Sequence, residues 1–452
     1  MKNFLKSYNI FTVIFLLFVV LVIICPPIYG VGDLAEYTSI FESVGLYNAT
    51  ADTYAITQNY GITEAGLGSK SFFEMFLMSV ISLNKLLFSN SVFNIHFLSG
   101  IYSIVFILGM YYLQKNMQFK TSYLNYAFSA LLGIVFLDLG YIAYLNSFYT
   151  DAAILVLTIS MTALAISISK NISLLKLILF TACTGIIATM RFSFSVMALC
   201  IAVILCIVAW SFKSKKRYKL IICSAVIGII SVFSMLNPYI PARDIKLYNL
   251  ICEDLAVTDE NALQYFNVQK VDSHSIEDMS NAVKDVTYVD VVRYYGDNPK
   301  TFTDNLKSAV NNSYFLIHSA TYFEANANYG IRAFLPLKLW SYLKRTILPQ
   351  GIWVVLGLII AYGAVALFEY AKARRSKNKH KMFVSLFAFA LPIGAVAELI
   401  GTVVTTGKIL ISKNMIGFGI YFDLIIITSI LWGASTLIDR NKNIKDKYGV
   451  NQ

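Results

Sequence analysis

Two carboxylates stand three residues apart in GVGDLAEY (30–37), directly after an apolar stretch: Asp33 and Glu36. That spacing puts both on one face if the segment is helical, where one can take a proton while the other orients it or binds a polar ligand. The same pair would also serve as a solvated cap for a helix starting near Thr38. A second polar group lies in YIAYLNSFYTDAAILV (141–156), where Asn146, Ser147, Tyr149, Thr150 and Asp151 crowd between two hydrophobic runs. With Tyr144 they could form a turn that hydrogen-bonds a polar ligand, or Asp151 could simply cap the helix that follows. A third feature is Arg191 in ATMRFSF, the lone charge between two apolar segments. It suits membrane-lipid phosphate or the phosphate of a lipid-linked substrate. A fourth is the set Asp138, Glu398 and Asp423, each inside an apolar run. Ionisable groups there are costly and face a bundle interior. Arg191, Lys408 and Lys413 are candidate partners, and buried structural pairs would satisfy the same pattern.

The elements that must position these groups follow from composition. Of 452 residues, 57% are hydrophobic and only 14% charged, more apolar surface than a soluble chain can hide. Ten stretches approach the ~20 residues needed to cross a bilayer: 10–29, 94–113, 125–143, 152–169, 176–190, 194–211, 220–237, 351–371, 382–403 and 415–434. The first reads as an uncleaved anchor, because Pro26-Pro27-Ile28-Tyr29-Gly30 lacks a small-x-small cleavage pattern. The six cysteines form neither a disulfide framework nor a metal spacing.

The net charge of +11 reads as topology rather than nucleic-acid binding. The N-terminus, 114–121, 169–176, 212–219, 372–381 and the C-terminus carry 21 of the 37 Lys and Arg residues, with Asp439 and Asp446 as their clear acidic residues. By the positive-inside rule both termini are cytoplasmic and the chemistry-bearing segments face outward. The expected organisation is a transmembrane module over 1–237 with a long first outer loop (30–93), an extracytoplasmic helical domain over 238–350, and a second transmembrane module over 351–452 ending in a cytoplasmic tail. The outer segment is too long for structureless loop. SIEDMSNAVKDV and TFTDNLKSAVNN read as helices, with Ser or Thr as N-cap candidates. FFEMFLMSVISLNKLLF (72–88) and KLWSYLKRTILP (338–349) read as helices lying along the outer interface, the latter with Trp340, Tyr342, Lys344 and Arg345 at headgroup level.

Taken together, these stretches resemble the GT-C membrane glycosyltransferases, and within them the WsfD-type hexose transferases of bacterial surface-glycan synthesis. VGDLAEYTSIFESVGLY (31–47) is similar to that family's Gly-Asp-Phe segment followed by Val-Gly-Leu, and YLNSFYTDAA (144–153) to its Asn-Ser-Phe-Tyr-Gly-Glu segment. TMRFSF (189–194) falls where the family has a Lys-containing turn. DIKLYNLICEDLA (244–256) and YYGDNPKTFTDNLKSAVNNSYF (294–315) look like its outer-domain helices. Two departures stand out: Thr150-Asp151 replaces Gly-Glu, and 405–424 has Lys408 and Asn414 where an acidic residue and a His are expected.

The resemblance implies an all-α polytopic GT-C-like bundle of about ten spans in the bacterial cytoplasmic membrane. It would move a hexose, with inversion, from a polyprenyl-phosphate donor to a surface glycan, glycolipid or protein acceptor. Asp33 would be the base, with Glu36 orienting it or binding sugar. Arg191 would hold the leaving phosphate, and Asn146, Tyr149 and Asp151 would line the sugar or acceptor site. No metal cluster is demanded, although a divalent ion would be compatible with Asp33 or Glu36. Membrane lipids are expected partners and nucleic acid is not. Two other classes share parts of the pattern. A flippase for lipid-linked glycans would favour an inverted repeat, which is not visible here. A polysaccharide polymerase or ligase would place basic residues such as Arg243, Arg293 and Arg332 in the large outer segment.

Overall fold

A computed structural model describes residues 6–25, 28–31, 36–48, 58–63, 71–119, 121–212, 215–238, 240, 243–259, 261–271, 276–313, 320–322, 338–348, 351–407 and 414–448. The chain opens with α1 (Ser7–Ile23), β1 (Tyr29–Val31), α2 (Glu36–Ser43), β2 (Leu46–Asn48), β3 (Asn59–Ile62), α3 (Phe72–Leu87) and β4 (Val92–Asn94). It continues through α4 (Ile95–Asn116), α5 (Ser122–Phe136), α6 (Leu139–Ile142), a 3-10 turn (Ala143–Asn146), α7 (Thr150–Lys170), α8 (Leu174–Ala188), α9 (Phe192–Ala209) and α10 (Lys215–Leu236). A helical segment follows: α11 (Arg243–Tyr248), a π turn (Asn249–Leu255), α12 (Ala256–Thr258), α13 (Asn261–Phe266), α14 (Ile276–Ala282), α15 (Tyr288–Asp297) and α16 (Pro299–Asn312). Then come β5 (Ala320–Tyr322), α17 (Leu339–Ile347), α18 (Ile352–Arg375), α19 (Lys379–Thr406) and α20 (Ile416–Tyr448).

In hydrocarbon a backbone N–H or C=O has no water to bond, so apolar runs of this length close their bonds within helices. A helix stands at each of the ten expected stretches. Among the described residues, seven are long and apolar enough to cross a bilayer: α4, α7, α9, α10, α18, α19 and α20. The pair α5 and α6 with its 3-10 turn makes an eighth if counted as one span, bent by 59°. At 17 and 15 residues, α1 and α8 fall short of a full crossing. The protein is an all-α polytopic membrane bundle in which α19 packs against α7, α9, α18 and α20.

Short strands shape the stretch between α1 and α4, which the sequence does not announce. β2, β3 and β4 form an antiparallel sheet pairing Leu46 with Ile62 and Tyr60 with Phe93. The sheet hands the chain to α4, where the Asn94 side chain caps the helix by accepting the His96 N–H at 2.8 Å. Strand β1 pairs with β5, Tyr29 opposite Tyr322 and Val31 opposite Ala320, which ties the end of the first helix to the far end of the large outer segment. α3 forms over the expected residues, capped by Ser71.

The helical segment 243–312 rests on the end of α19. α11, the π turn, α15 and α16 all pack against that helix, and the Tyr295 and Tyr288 hydroxyls reach the Val403 and Thr405 carbonyls at 3.4 Å. The two expected outer helices form, although α16 is capped by Asn298 with Pro299 at its first position rather than by Thr301. α15 begins with a capping box between Thr287 and Asp290.

α17 corrects the interfacial reading of 338–349. It is amphipathic as expected, and Tyr342 and Ile347 are exposed, but Trp340 and Lys344 turn into the bundle. Trp340 Nε1 donates to Asp423 Oδ2 at 2.8 Å and Lys344 Nζ lies 3.1 Å from Asp423 Oδ1. The physical reason is charge: a carboxylate inside α20 outbids lipid headgroups for the ammonium.

Candidate functional site

Arg191 is the N-cap residue of α9, where the positive end of the helix dipole opposes a cation. Two carboxylates offset that. Arg191 Nη2 donates to Asp151 Oδ1 at 2.7 Å and to Oδ2 at 2.8 Å. Arg191 Nη1 lies 3.6 Å from Glu398 Oε2 and 3.4 Å from the Asn414 carbonyl. Asp151 sits in the first turn of α7, where a negative charge is favoured, and is the second helical residue rather than the cap, which is Tyr149. Glu398 comes from the far part of α19 and also accepts a hydrogen bond from Ser193 Oγ. The close approach depends on glycine: a Cβ on Gly417 would collide with Glu398 Oε2. Three helices thus deliver Asp151, Arg191 and Glu398 to one point at the end of the bundle on which the helical segment 243–312 rests. The Arg191 side chain keeps 16% of its surface exposed and both acids are buried.

Lys246, on α11, is a further buried cation, and its charge acts on Asp151. Little in DIKLYNLICEDLA (244–256) singles it out by sequence. The available signal was a lysine on the apolar face of a short helix, with Ile245, Leu247 and Tyr248 buried around it.

The polar knot 144–151 is buried throughout. Within it, Asn146 bonds to backbone carbonyls. Its Nδ2 donates to the Tyr29 carbonyl at 2.9 Å and the Ile23 carbonyl at 3.2 Å, joining the knot to both ends of the link from α1 to β1. Its side chain also lies beside His96. The Tyr149 ring packs against Tyr37 at a tilt of 54°, with centroids 5.5 Å apart, within an aromatic group that includes Phe41, Tyr60 and Phe148. Tyr37 and Tyr60 share a hydroxyl hydrogen bond of 3.0 Å. Burial and the neighbouring Tyr60 push the Tyr37 phenol well above its ordinary range, so it stays neutral.

The other two intramembrane carboxylates belong to a separate group. Asp138, at the break between α5 and α6, accepts the Gly140 N–H at 2.9 Å and the Ser341 N–H and hydroxyl, each at 2.8 Å. Asp423 accepts from Tyr141 at 2.6 Å as well as from Trp340 and Lys344. Of the candidate partners read from sequence, Arg191 meets Glu398; Asp423 is instead taken by Lys344, which was not among those candidates. Lys408 and Lys413 lie outside the described residues, as does Asp33; of Glu36 only the backbone, the first residue of α2, is described. Among the described residues no three His, Cys, Asp or Glu side chains gather as a metal cluster.

Comparison with known proteins gives a family match along nearly the whole chain. Residues 1–250 and 251–451 match the family described as YfdI N-terminal transmembrane domain. No curated protein matches significantly. Among solved structures, the chain is similar to the apo oligosaccharyltransferase of Archaeoglobus fulgidus, with 13% identity and a TM-score of 0.39 over 97% of this chain and 52% of that one. It is likewise similar to the oligosaccharyltransferase AglB of the same organism, solved with an inhibitory peptide and a dolichol-phosphate: 14% identity, TM-score 0.39, 98% of this chain and 52% of that one. The chain spans about half the length of these two structures.

Proposed function

This chain belongs to the YfdI N-terminal transmembrane domain family, and from the charged group under its outer segment we propose that it is an inverting, GT-C-type glycosyltransferase. The donor is a hexose on a polyprenyl phosphate, taken from the outer leaflet of the bacterial cytoplasmic membrane. The acceptor is the hydroxyl of a surface glycan, glycolipid or protein. The observation that carries the reading is the placement of Arg191. It is a cationic side chain at the end of a span, largely buried and held by carboxylates from two other helices. Burying such charges costs several kcal/mol per ion, an expense that a site for an anionic lipid headgroup would explain.

In the proposed reaction the acceptor oxygen attacks the anomeric carbon and gives its proton to Asp33, with Glu36 orienting the base or binding the sugar. The bond from that carbon to the phosphate oxygen breaks, and the electron pair leaves with polyprenyl phosphate. Phosphate is already a good leaving group, so no second carboxylic acid is needed. Arg191 Nη1, whose contacts to Glu398 and Asn414 exceed the ~2.7–2.9 Å of a strong charged hydrogen bond, turns to the phosphate as its charge grows. Tyr149 and Asp151 border the sugar or acceptor.

The test is transfer of radiolabelled sugar from polyprenyl-phosphate hexose by the purified protein in lipid nanodiscs. Transfer by the wild type, lost about 10²–10⁴-fold in Asp33→Asn with donor binding retained, is the expected result for a general base. A dead Glu36→Gln beside an active Asp33→Asn reverses the assignment of the base. Movement of intact lipid-linked glycan across vesicles without any sugar transfer would sink the enzyme reading in favour of a flippase.

A further inference from the structure

We propose that Glu398 is a positioning residue for Arg191: its Oε2 holds the Nη1 side of the guanidinium until a lipid-linked phosphate binds, then yields that side to the phosphate and takes up a proton. The inference rests on the glycosyltransferase reading above and deepens it.

The two oxygens of Glu398 are held unequally. Oε1 accepts a hydrogen bond from Ser193 Oγ. Oε2 lies 3.6 Å from Arg191 Nη1, within reach of an ion pair and beyond a hydrogen bond, and has no hydrogen-bond partner among the described residues. The Glu398 side chain is 1% exposed, so water does little to screen its charge. Asp151 differs, with both of its oxygens within 2.8 Å of Nη2. One carboxylate therefore fixes the guanidinium, and the other makes a contact that a closer acceptor replaces. Arg191 is the member of the three with 16% of its side chain exposed, so the phosphate meets the group there.

The exchange changes the charge balance. Once Nη1 turns to a phosphate oxygen, Oε2 is a buried anion beside a second anion. A buried carboxylate that loses its counter-charge takes a proton rather than stay ionised. A phosphodiester adds one negative charge to the group, and a proton from water, bonded to Oε2, cancels it. Ser193 can keep its bond to Oε1 throughout. Facing this part of α19 are Asp151 from α7, Arg191 from α9 and Tyr421 from α20, whose ring packs on Gly394 one turn earlier. Asp423, also on α20, is taken by Lys344. On α18, where Gly363 lies against Pro392, residues 352–361 run beside Glu398 and include no titratable side chain. Tyr295, Tyr288 and Asp254 meet α19 further on, at Val403, Thr405 and Gly407, and Lys246 acts on Asp151.

The probe is polyprenyl-phosphate hexose, a phosphodiester that stays a monoanion between about pH 5 and 9. Calorimetry with the purified protein in nanodiscs, in buffers of different ionisation enthalpy, counts the protons exchanged on binding. The wild type should take up as much as about one proton, and its affinity should fall by up to about tenfold per unit as pH rises through that window. Glu398→Gln, which has the shape of the neutral acid, should bind with no uptake and no pH slope, and Glu398→Asp should restore both. A merely structural role would lower affinity or stability in Glu398→Gln and leave the slope as it was. Equal uptake in wild type and Glu398→Gln, or none in the wild type, overturns the proposal. If Glu398→Gln does not fold, Ser193→Ala decides, because it removes the hydrogen bond to Oε1: a displaced pH profile supports the role and an unmoved one overturns it. A wild type that binds the probe at no pH sinks the glycosyltransferase reading itself; one that binds it without proton uptake sinks only the role of Glu398.

Discussion

Arg191 directs a single amino group, Nη2, at both carboxylate oxygens of Asp151, 2.7 and 2.8 Å away. The pair joins the first turn of α7 to the N-cap of α9, while Nη1 lies 3.6 Å from Glu398 Oε2 and 3.4 Å from the Asn414 carbonyl.

Removing the guanidinium should therefore do two things. In Arg191→Ala, Asp151 and Glu398 lose a shared counter-charge, and breaking a largely buried pair costs about 3–5 kcal/mol at full burial, less here because Arg191 keeps partial exposure. The thermal midpoint in detergent should fall and the donor KM should rise. Arg191→Lys should recover part of both, because the charge survives and the fork does not. An unchanged midpoint together with unchanged donor use would remove Arg191 from the site.

Asn146 should behave as scaffold. Asn146→Leu keeps roughly the volume and strips the donors from the Ile23 and Tyr29 carbonyls. Each buried acceptor left without a partner costs about 1–3 kcal/mol. The expected result is a lower unfolding midpoint with donor and acceptor KM near wild type below that midpoint. Full stability with a raised KM would return Asn146 to the substrate-binding role first read from its sequence context.

Lys344 and Asp423 are 1% and 0% exposed. Lys344→Met alone should destabilise by about 3–5 kcal/mol, while Lys344→Met with Asp423→Asn should recover part of the loss, since no lone buried charge remains and the amide oxygen can still accept from Tyr141 and Trp340. Thermal unfolding of the two single variants and the double variant measures that coupling. Additive losses would show that α17 is held by something other than this ion pair.

The outer segment should weaken in acid. Hydrogen bonds from the Thr287 hydroxyl and N–H hold the Asp290 carboxyl below its ordinary range, and those from Tyr294 and the Asn261 N–H do the same for Asp259. A carboxylate whose folded pKa is depressed adds stability that is fully present above its unfolded value near ~3.9 and is lost as pH falls through the lower folded value. Amide exchange over 287–297 should speed up as pH drops below about 4, after correction for the intrinsic rate, and Asp290→Asn should flatten that dependence. Protection independent of pH would place the stability of α15 in packing alone.

The spans were legible because each needs a long apolar run, a demand local enough to read by eye. Arg191 was legible for the opposite reason, as a charge standing alone among apolar residues. Its meeting with Glu398 was one of several pairings the sequence allowed. Lys344 was misread because aromatic and basic residues on an amphipathic helix look the same whether they meet headgroups or a carboxylate 79 residues further along the chain. Lys246 was passed over because a buried lysine is defined by its neighbours, which come from other helices. The short strands carry too few residues for an alternating pattern to rise above the surrounding composition.

The pairing of β1 with β5 has a consequence in time. Val31 leaves the ribosome roughly 290 residues before Ala320, its partner, and at synthesis rates of about 5–20 residues per second that is a wait of roughly 15–60 seconds. Through that interval the strand from which the chain runs on to Asp33 lacks its only sheet neighbour among the described residues. Most of the helices have by then been made. The stretch bearing the proposed base is thus among the first loops to be synthesised and among the last to be completed, and a ribosome-stalled chain ending before Ala320 should insert its early helices while remaining inactive.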